Sequence, residues 1–156
     1  MPGVRTNGRR SSRSQQLGRE PLECPGASRA QWVSNASAPM KLYAFDVDET
    51  LELSGGPVRL ADVVRLRKDG HIVGLCGNWA VVTQSWPEWF EIFSFVGPML
   101  MTKPEFLKQL STYVPAEEYV MVGNILGVSG QSDDQGAANA AGWRFIKESD
   151  FARGTR

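Results

Sequence analysis

From residue 40 onward the sequence predicts an α/β fold, a three-layer Rossmann-like arrangement with a roughly five-stranded parallel sheet. Three observations carry this. Short apolar runs alternate with helix-length segments, the order that builds an open parallel sheet. The runs are apolar on successive positions, as strands covered on both faces are. Glycines at 70 and 142 stand where two of the helices must stop. A chain of 156 residues has room for one domain with a real core.

The elements follow in order. Residues 41–46 (KLYAFD) are an apolar run ending in acid, a buried strand by type. Over 59–68, Leu60, Val63, Val64 and Leu66 fall on or near one helical face. Residues 71–76 (HIVGLC) are the second strand, and 79–93 has helical spacing broken at Pro87. Residues 95–101 are a third strand containing Gly97 and Pro98. Thr102 and Glu105 are spaced as a capping box for a helix through Leu110. Residues 119–122 are the fourth strand, followed by a glycine-rich loop over 123–131. Ser132 and Gln135 are the candidate caps of a helix running to Ala141, and 143–146 is the fifth strand.

Residues 1–39 differ in kind. Six Arg against two Glu give this stretch a charge of +4, and the overall balance of 17 against 17 leaves −4 on the rest. Its apolar residues have no period, so it buries too little surface to offset its ordering entropy. A disordered basic arm is expected, with three roles open: an arm for nucleic acid or another acidic partner, a transit-like peptide, or an upstream extension before Met40. The domain is expected over 40–150, with 151–156 a tail. No run of about 18 apolar residues exists, so no membrane span is expected. Cys24 and Cys76 form no CxxC pair, which argues against zinc and points to a reducing, cytoplasmic setting. The single histidine, His71, stands at the wrong end of its strand for a Ser-His-Asp triad. Neither nucleotide-binding glycine motif occurs.

In an open parallel sheet, ligands bind beyond the carboxyl ends of the strands. There the chain places Asp46 and Asp48, two residues apart on an extended segment. The first suits a nucleophile on phosphorus; the second suits a general acid that later deprotonates water. Both would repel a phosphate, so a hard divalent cation, Mg²⁺, is expected between them. A solvated acidic turn has the same spelling.

In context the spelling is more specific. FDVDETL after an apolar strand resembles the first motif, DxDxT, of the haloacid dehalogenase (HAD) superfamily. MTKPEFL resembles its lysine motif, with Lys103 at a helix start and Lys108 as second choice. SDDQGAANAAGWRFI resembles its metal-binding segment. The resemblance implies Asp46 as nucleophile, Asp48 as acid/base and Lys103 as charge clamp. It implies Thr50, Gly77 and Asn78 on the phosphate side. The cation would be held by Asp46, Asp48 through its carbonyl, Asp134, Asn124 and, as an alternative, Asp133. Two positions depart from the pattern. Gly77 stands where a Ser or Thr is usual, leaving the main-chain N–H groups of Gly77 and Asn78 to face phosphate. Asn124 stands where Asp is usual, and ten residues, not the usual few, lead on to Asp134. The stretches between Asp46, Gly77 and Lys103 are too short for an inserted cap, so the minimal branch of the superfamily is implied. An open site suits a large phosphorylated substrate, and Trp79, Trp86 and Trp89 near its entrance offer stacking surfaces for bases or sugars. Half-buried packing is the ordinary role of such residues. The expected function is a Mg²⁺-dependent phosphomonoesterase working through an aspartyl-phosphate. The alternative is a degenerate phosphate-binding or scaffold module.

Overall fold

The computed structural model describes residues 39–156; the basic arm and every role considered for it lie outside the described residues. The five apolar runs are strands: β1 Lys41–Phe45, β2 Ile72–Cys76, β3 Phe95–Gly97, β4 Glu118–Gly123 and β5 Arg144–Lys147. All pair in parallel, in the order β3-β2-β1-β4-β5. The two-residue period of a strand sorts their side chains onto two faces. Tyr43, Phe45, Val73, Leu75, Val120 and Val122 enter one core cluster; Leu42, Ala44, Cys76 and Met121 enter the other.

Helices cover both faces. The first cluster takes Val63 and Leu66 of α1 (Leu60–Lys68) and Val82 of α2 (Trp79–Ser85). A short α3 (Trp89–Ile92) follows α2, because Pro87 interrupts the helical stretch as its spacing predicts. The second cluster takes Leu107 and Leu110 of α4 (Lys103–Tyr113) and Ala137 and Ala138 of α5 (Asp134–Ala141). Trp79, Trp86 and Trp89 are partly buried against the first cluster, so packing is the role they fill here. None of the helices in the described residues is long and apolar enough to cross a membrane.

Several boundaries move for identifiable reasons. β3 stops at Gly97, since Pro98 has no N–H to extend the ladder. α4 continues past Leu110 to Tyr113. The cap of α5 is Asp133, not Ser132 or Gln135: its Oδ1 accepts from the Gly136 N–H at 2.9 Å. Gly142 ends α5 at φ 76°, a conformation open to glycine without strain. A helix α6, Glu148–Ala152, occupies what the sequence suggests is the domain's end. Five residues are too few to show a helical period. Its Phe151 is fully buried, edge-on to Phe45 with ring centroids 5.2 Å apart. Residues 151–156 therefore begin inside the core and are not a bare tail.

The strand order sets the location of the site. From β1 the chain builds outward through β2 to β3, then returns to start β4 on the other side of β1. The crevice between the carboxyl ends of β1 and β4 is the switch point where such sheets bind ligands. Truncating Phe151 tests how far the core extends. Phe151→Ala should cost about 3–5 kcal/mol of unfolding free energy, measured by urea denaturation.

Candidate active site

Asp46 follows β1, and its N–H donates to the Val122 carbonyl at 2.8 Å, carrying the β1–β4 ladder one residue further. Val47 and Leu51 are fully buried, so alternation leaves Asp46 and Asp48 facing the crevice. The turn is fixed by the Thr50 and Leu51 N–H groups, both on the Val47 carbonyl, and by the Ser54 hydroxyl donating to that same oxygen. Glu49 sits at φ 56°, in the left-handed region that non-glycine residues rarely occupy.

The cavity at these strand ends measures about 680 Å³ and is lined by Asp46, Asp48, Glu49, Asn78, Lys103 and Asn124, among others. Lys103, the first residue of α4, reaches Asp46 Oδ1 at 2.7 Å, Asp134 Oδ1 at 2.6 Å and the Ser132 hydroxyl at 2.6 Å. Its two carboxylate partners are nearly sealed, at 3% and 0% side-chain exposure. Burial, joined by the Asp134 charge, pushes the Asp46 carboxyl up to about 6, while Lys103 pulls the other way. Burial alone would lower Lys103, but Asp46 and Asp134 outweigh it and hold the ammonium above its ordinary range. Nearby Cys76 is pushed up to about 12 by burial, so its thiol is protonated and inert.

The fourth-strand end resolves the stretched spacing. After β4, residues 125–130 close on themselves: Leu126 bridges Gly130, and the Gly127 N–H donates to the Gly130 carbonyl at 2.9 Å. The Ser129 hydroxyl ties this loop to the buried Glu148 carboxylate at 3.1 Å. The extra residues are thus looped out, and Asp134 returns to accept from the Asn124 N–H at 2.8 Å. Asp134 Oδ1 takes Lys103 and Ser132 as donors. Its carboxylate is thereby spent on the lysine and the main chain, behind the cavity wall. Asp133, the alternative ligand, is exposed and caps α5, so the structure sets it apart from the site.

One further expectation is corrected. The Gly77 N–H does not face the cavity for phosphate, because it donates to the Gly97 carbonyl at 2.8 Å. A Cβ at Gly77 would stand 2.3 Å from Asp46 Oδ1, so in this arrangement the glycine makes room for the acid. Asn78 spends its side-chain amide on Asp48 Oδ1 at 3.3 Å, which orients the acid/base candidate. Sequence reasoning missed Ser132 as the third partner of Lys103 and Glu49 as a cavity residue; for Glu49 the only signal was its place inside the acidic pentapeptide. Thr50 is buried, with its hydroxyl 3.4 Å from Asp46 Oδ2 and 3.3 Å from Asn124 Oδ1.

Two oxygens of the kind a hard cation takes stand at this strand end. Asp46 Oδ2 and the Asp48 carbonyl both face the Asn124 side-chain nitrogen, at 3.5 and 2.9 Å, so two oxygens converge on one polar position. Among the described residues no group of three or more His, Cys, Asp or Glu side chains converges. One carboxylate oxygen and one carbonyl oxygen are thus at hand for a hard cation, with the Asn124 amide presenting its nitrogen to them. Mg²⁺ accepts such sets because it keeps several waters and commonly shares its shell with substrate phosphate.

Comparisons with protein-family models, with curated proteins and with solved structures find no match to this chain.

The raised Asp46 carboxyl has a stability consequence. A proton is held more tightly in the folded chain than in the unfolded one, so stability falls as pH rises from about 4 through about 6. Asp46→Asn removes this loss. In EDTA the variant should be more stable than the parent by about 1–3 kcal/mol at pH 8, with the gain vanishing below pH 4. Denaturation at several pH values measures it.

Proposed function

We propose that this domain is a Mg²⁺-dependent phosphomonoesterase of the haloacid dehalogenase type, with Asp46 as nucleophile. The observation that carries the reading is the Lys103–Asp46 pair, 2.7 Å apart, at the switch point of a parallel sheet and opening on a polar cavity. A phosphoryl group entering there meets one fixed ammonium and one buried carboxylate.

In the proposed reaction an Asp46 carboxylate oxygen attacks phosphorus and the bond to the leaving oxygen breaks. Asp48 protonates that oxygen, so the alcohol departs neutral. The aspartyl-phosphate is then hydrolysed by a water whose proton passes to the Asp48 carboxylate, which restores both acids. Asn78 holds Asp48 for these transfers. Lys103 neutralises charge on the phosphoryl oxygens, and Asp134 with Ser132 keeps it aimed. Asp46, the Asp48 carbonyl and Asn124 would hold the cation, whose positive charge offsets the repulsion between carboxylate and phosphate. The exposed Asp48, Glu49 and Asn78 leave the mouth uncovered, which favours a phosphate carried on a bulky substrate.

A second reading, a phosphate-binding or scaffold module without turnover, is favoured by one observation. The Gly77 N–H is already bonded to Gly97, so the end of β2 supplies neither a hydroxyl nor that main-chain donor to phosphate. A missing donor to a charged group is worth about 1.5–3 kcal/mol, or roughly ten- to a hundred-fold in rate. That is small beside the acceleration phosphatases provide. Turnover of an aryl phosphate in Mg²⁺ decides between the readings. The parent chain should hydrolyse it and Asp46→Asn should show no activity above background. Retained activity in the variant would sink the assignment, and phosphate binding without turnover in the parent would favour the second reading.

A further inference from the structure

Asn124 stands where the cation belongs, and its hydrogen bonds describe only half of what it can do. Its nitrogen donates to the Asp48 carbonyl at 2.9 Å and, more weakly, to Asp46 Oδ2 at 3.5 Å. Its oxygen accepts from the Thr50 hydroxyl at 3.3 Å. That hydroxyl also faces Asp46 Oδ2 at 3.4 Å, yet a threonine has a single proton to give. When the proton goes to Asn124, Asp46 Oδ2 keeps only the long 3.5 Å contact to the amide nitrogen on this side, inside a cluster where Thr50 is 0% and Asn124 1% exposed. Turning the amide over would free the hydroxyl proton for Asp46, provided a cation is present. The nitrogen would donate to the Thr50 oxygen, Thr50 would give its proton wholly to Asp46, and the amide oxygen would face the position its nitrogen had filled. Without a cation the turned amide sets three oxygens against one another, so the nitrogen-inward orientation is held.

We propose that Asn124 is an inverting ligand. Its amide nitrogen fills the divalent-cation position when the cation is absent, and its oxygen ligates the cation when it arrives, with Thr50 as the hydroxyl that exchanges roles. This rests on the cation reading of the site. It adds that occupancy is set by a neutral residue that also competes for the place. An acid at 124 would have no nitrogen to place there, so the cation would enter without displacing a donor.

The test uses the full chain and MgCl₂ alone, followed through the side-chain amide signals in nitrogen-15 NMR and by calorimetry. The Asn124 pair is identified by its loss in Asn124→Asp. It should shift along the same saturation curve as the calorimetric binding. Thr50→Val, which removes the exchanging hydroxyl, should weaken Mg²⁺ binding by roughly threefold to tenfold. Asn124→Asp should tighten it about tenfold or more. The same variant should melt lower than the parent in EDTA and show the larger rise in Tm on adding Mg²⁺, which a purely structural asparagine would not produce. If Mg²⁺ binds while the Asn124 pair stays put and Asn124→Asp keeps the parent affinity, the inversion is wrong and the site stands. If neither the parent nor Asn124→Asp binds millimolar Mg²⁺, the cation reading itself falls, and the inversion with it.

Discussion

One ammonium between two buried carboxylates is the constraint on which the rest of the site depends. Lys103 satisfies Asp46 and Asp134 together, and neither acid has other full charge compensation among its hydrogen-bond partners. Leaving a charge buried and unpaired costs about 3–5 kcal/mol, so the lysine is as much a condition for packing β1 against β4 as a candidate for chemistry. It sits in the first turn of α4, where the helix dipole disfavours a cation. The two acids outweigh that, and Glu105 helps by accepting from the Thr102 N–H and hydroxyl, both at 2.8 Å.

The same charge count leaves the site negative, and its neutral neighbours are arranged around that excess. Asn124, Thr50 and Ser132 bring donors without bringing charge. Two glycines at strand ends give the acids room. A Cβ at Gly77 would meet Asp46 Oδ1 at 2.3 Å, and one at Gly123 would meet Asp134 Oδ2 at 2.4 Å. Larger residues at either place would press on the partners of Lys103. Asp46 is consequently held in an environment that penalises its charge, as its carboxyl near 6 records. Stability is given up at the position that carries the proposed reaction, the usual relation between reactive groups and folded stability.

Loop 125–130 shows how a departure in spacing can be absorbed without moving the site. Its ends meet at the Leu126–Gly130 bridge, and its interior is fastened to Glu148 of α6 through Ser129. Helix α6 thus has two attachments, Phe151 to the core and Glu148 to the loop beside the site. A segment that looks like a trailing end in sequence supports the geometry of the fourth-strand turn.

Local chemistry was legible because it depends on neighbours in the chain. The unbroken apolar runs in KLYAF and YVMVG marked strands buried on both faces, and parallel strands marked the edge at which such sheets bind ligands. Asp46 and Asp48 could be placed at that edge from their position at a strand end, whereas Lys103 was preferred to Lys108 through the resemblance of MTKPEFL to a family motif. What the sequence could not decide were choices between equivalent side chains, because those are made by partners distant in the chain. Asp133 and Asp134 are adjacent, and only the cap bond to Gly136 and the approach of Lys103 from α4 separate their roles. The side-chain amide of Asn78 found its partner in Asp48, across the facing turn. The Gly77 N–H was claimed by β3 because a buried strand edge must satisfy its donors before a ligand can use them. Tertiary structure made these assignments because each buried polar atom takes the partner that packing brings within about 3 Å, and sequence distance has no bearing on which partner that is.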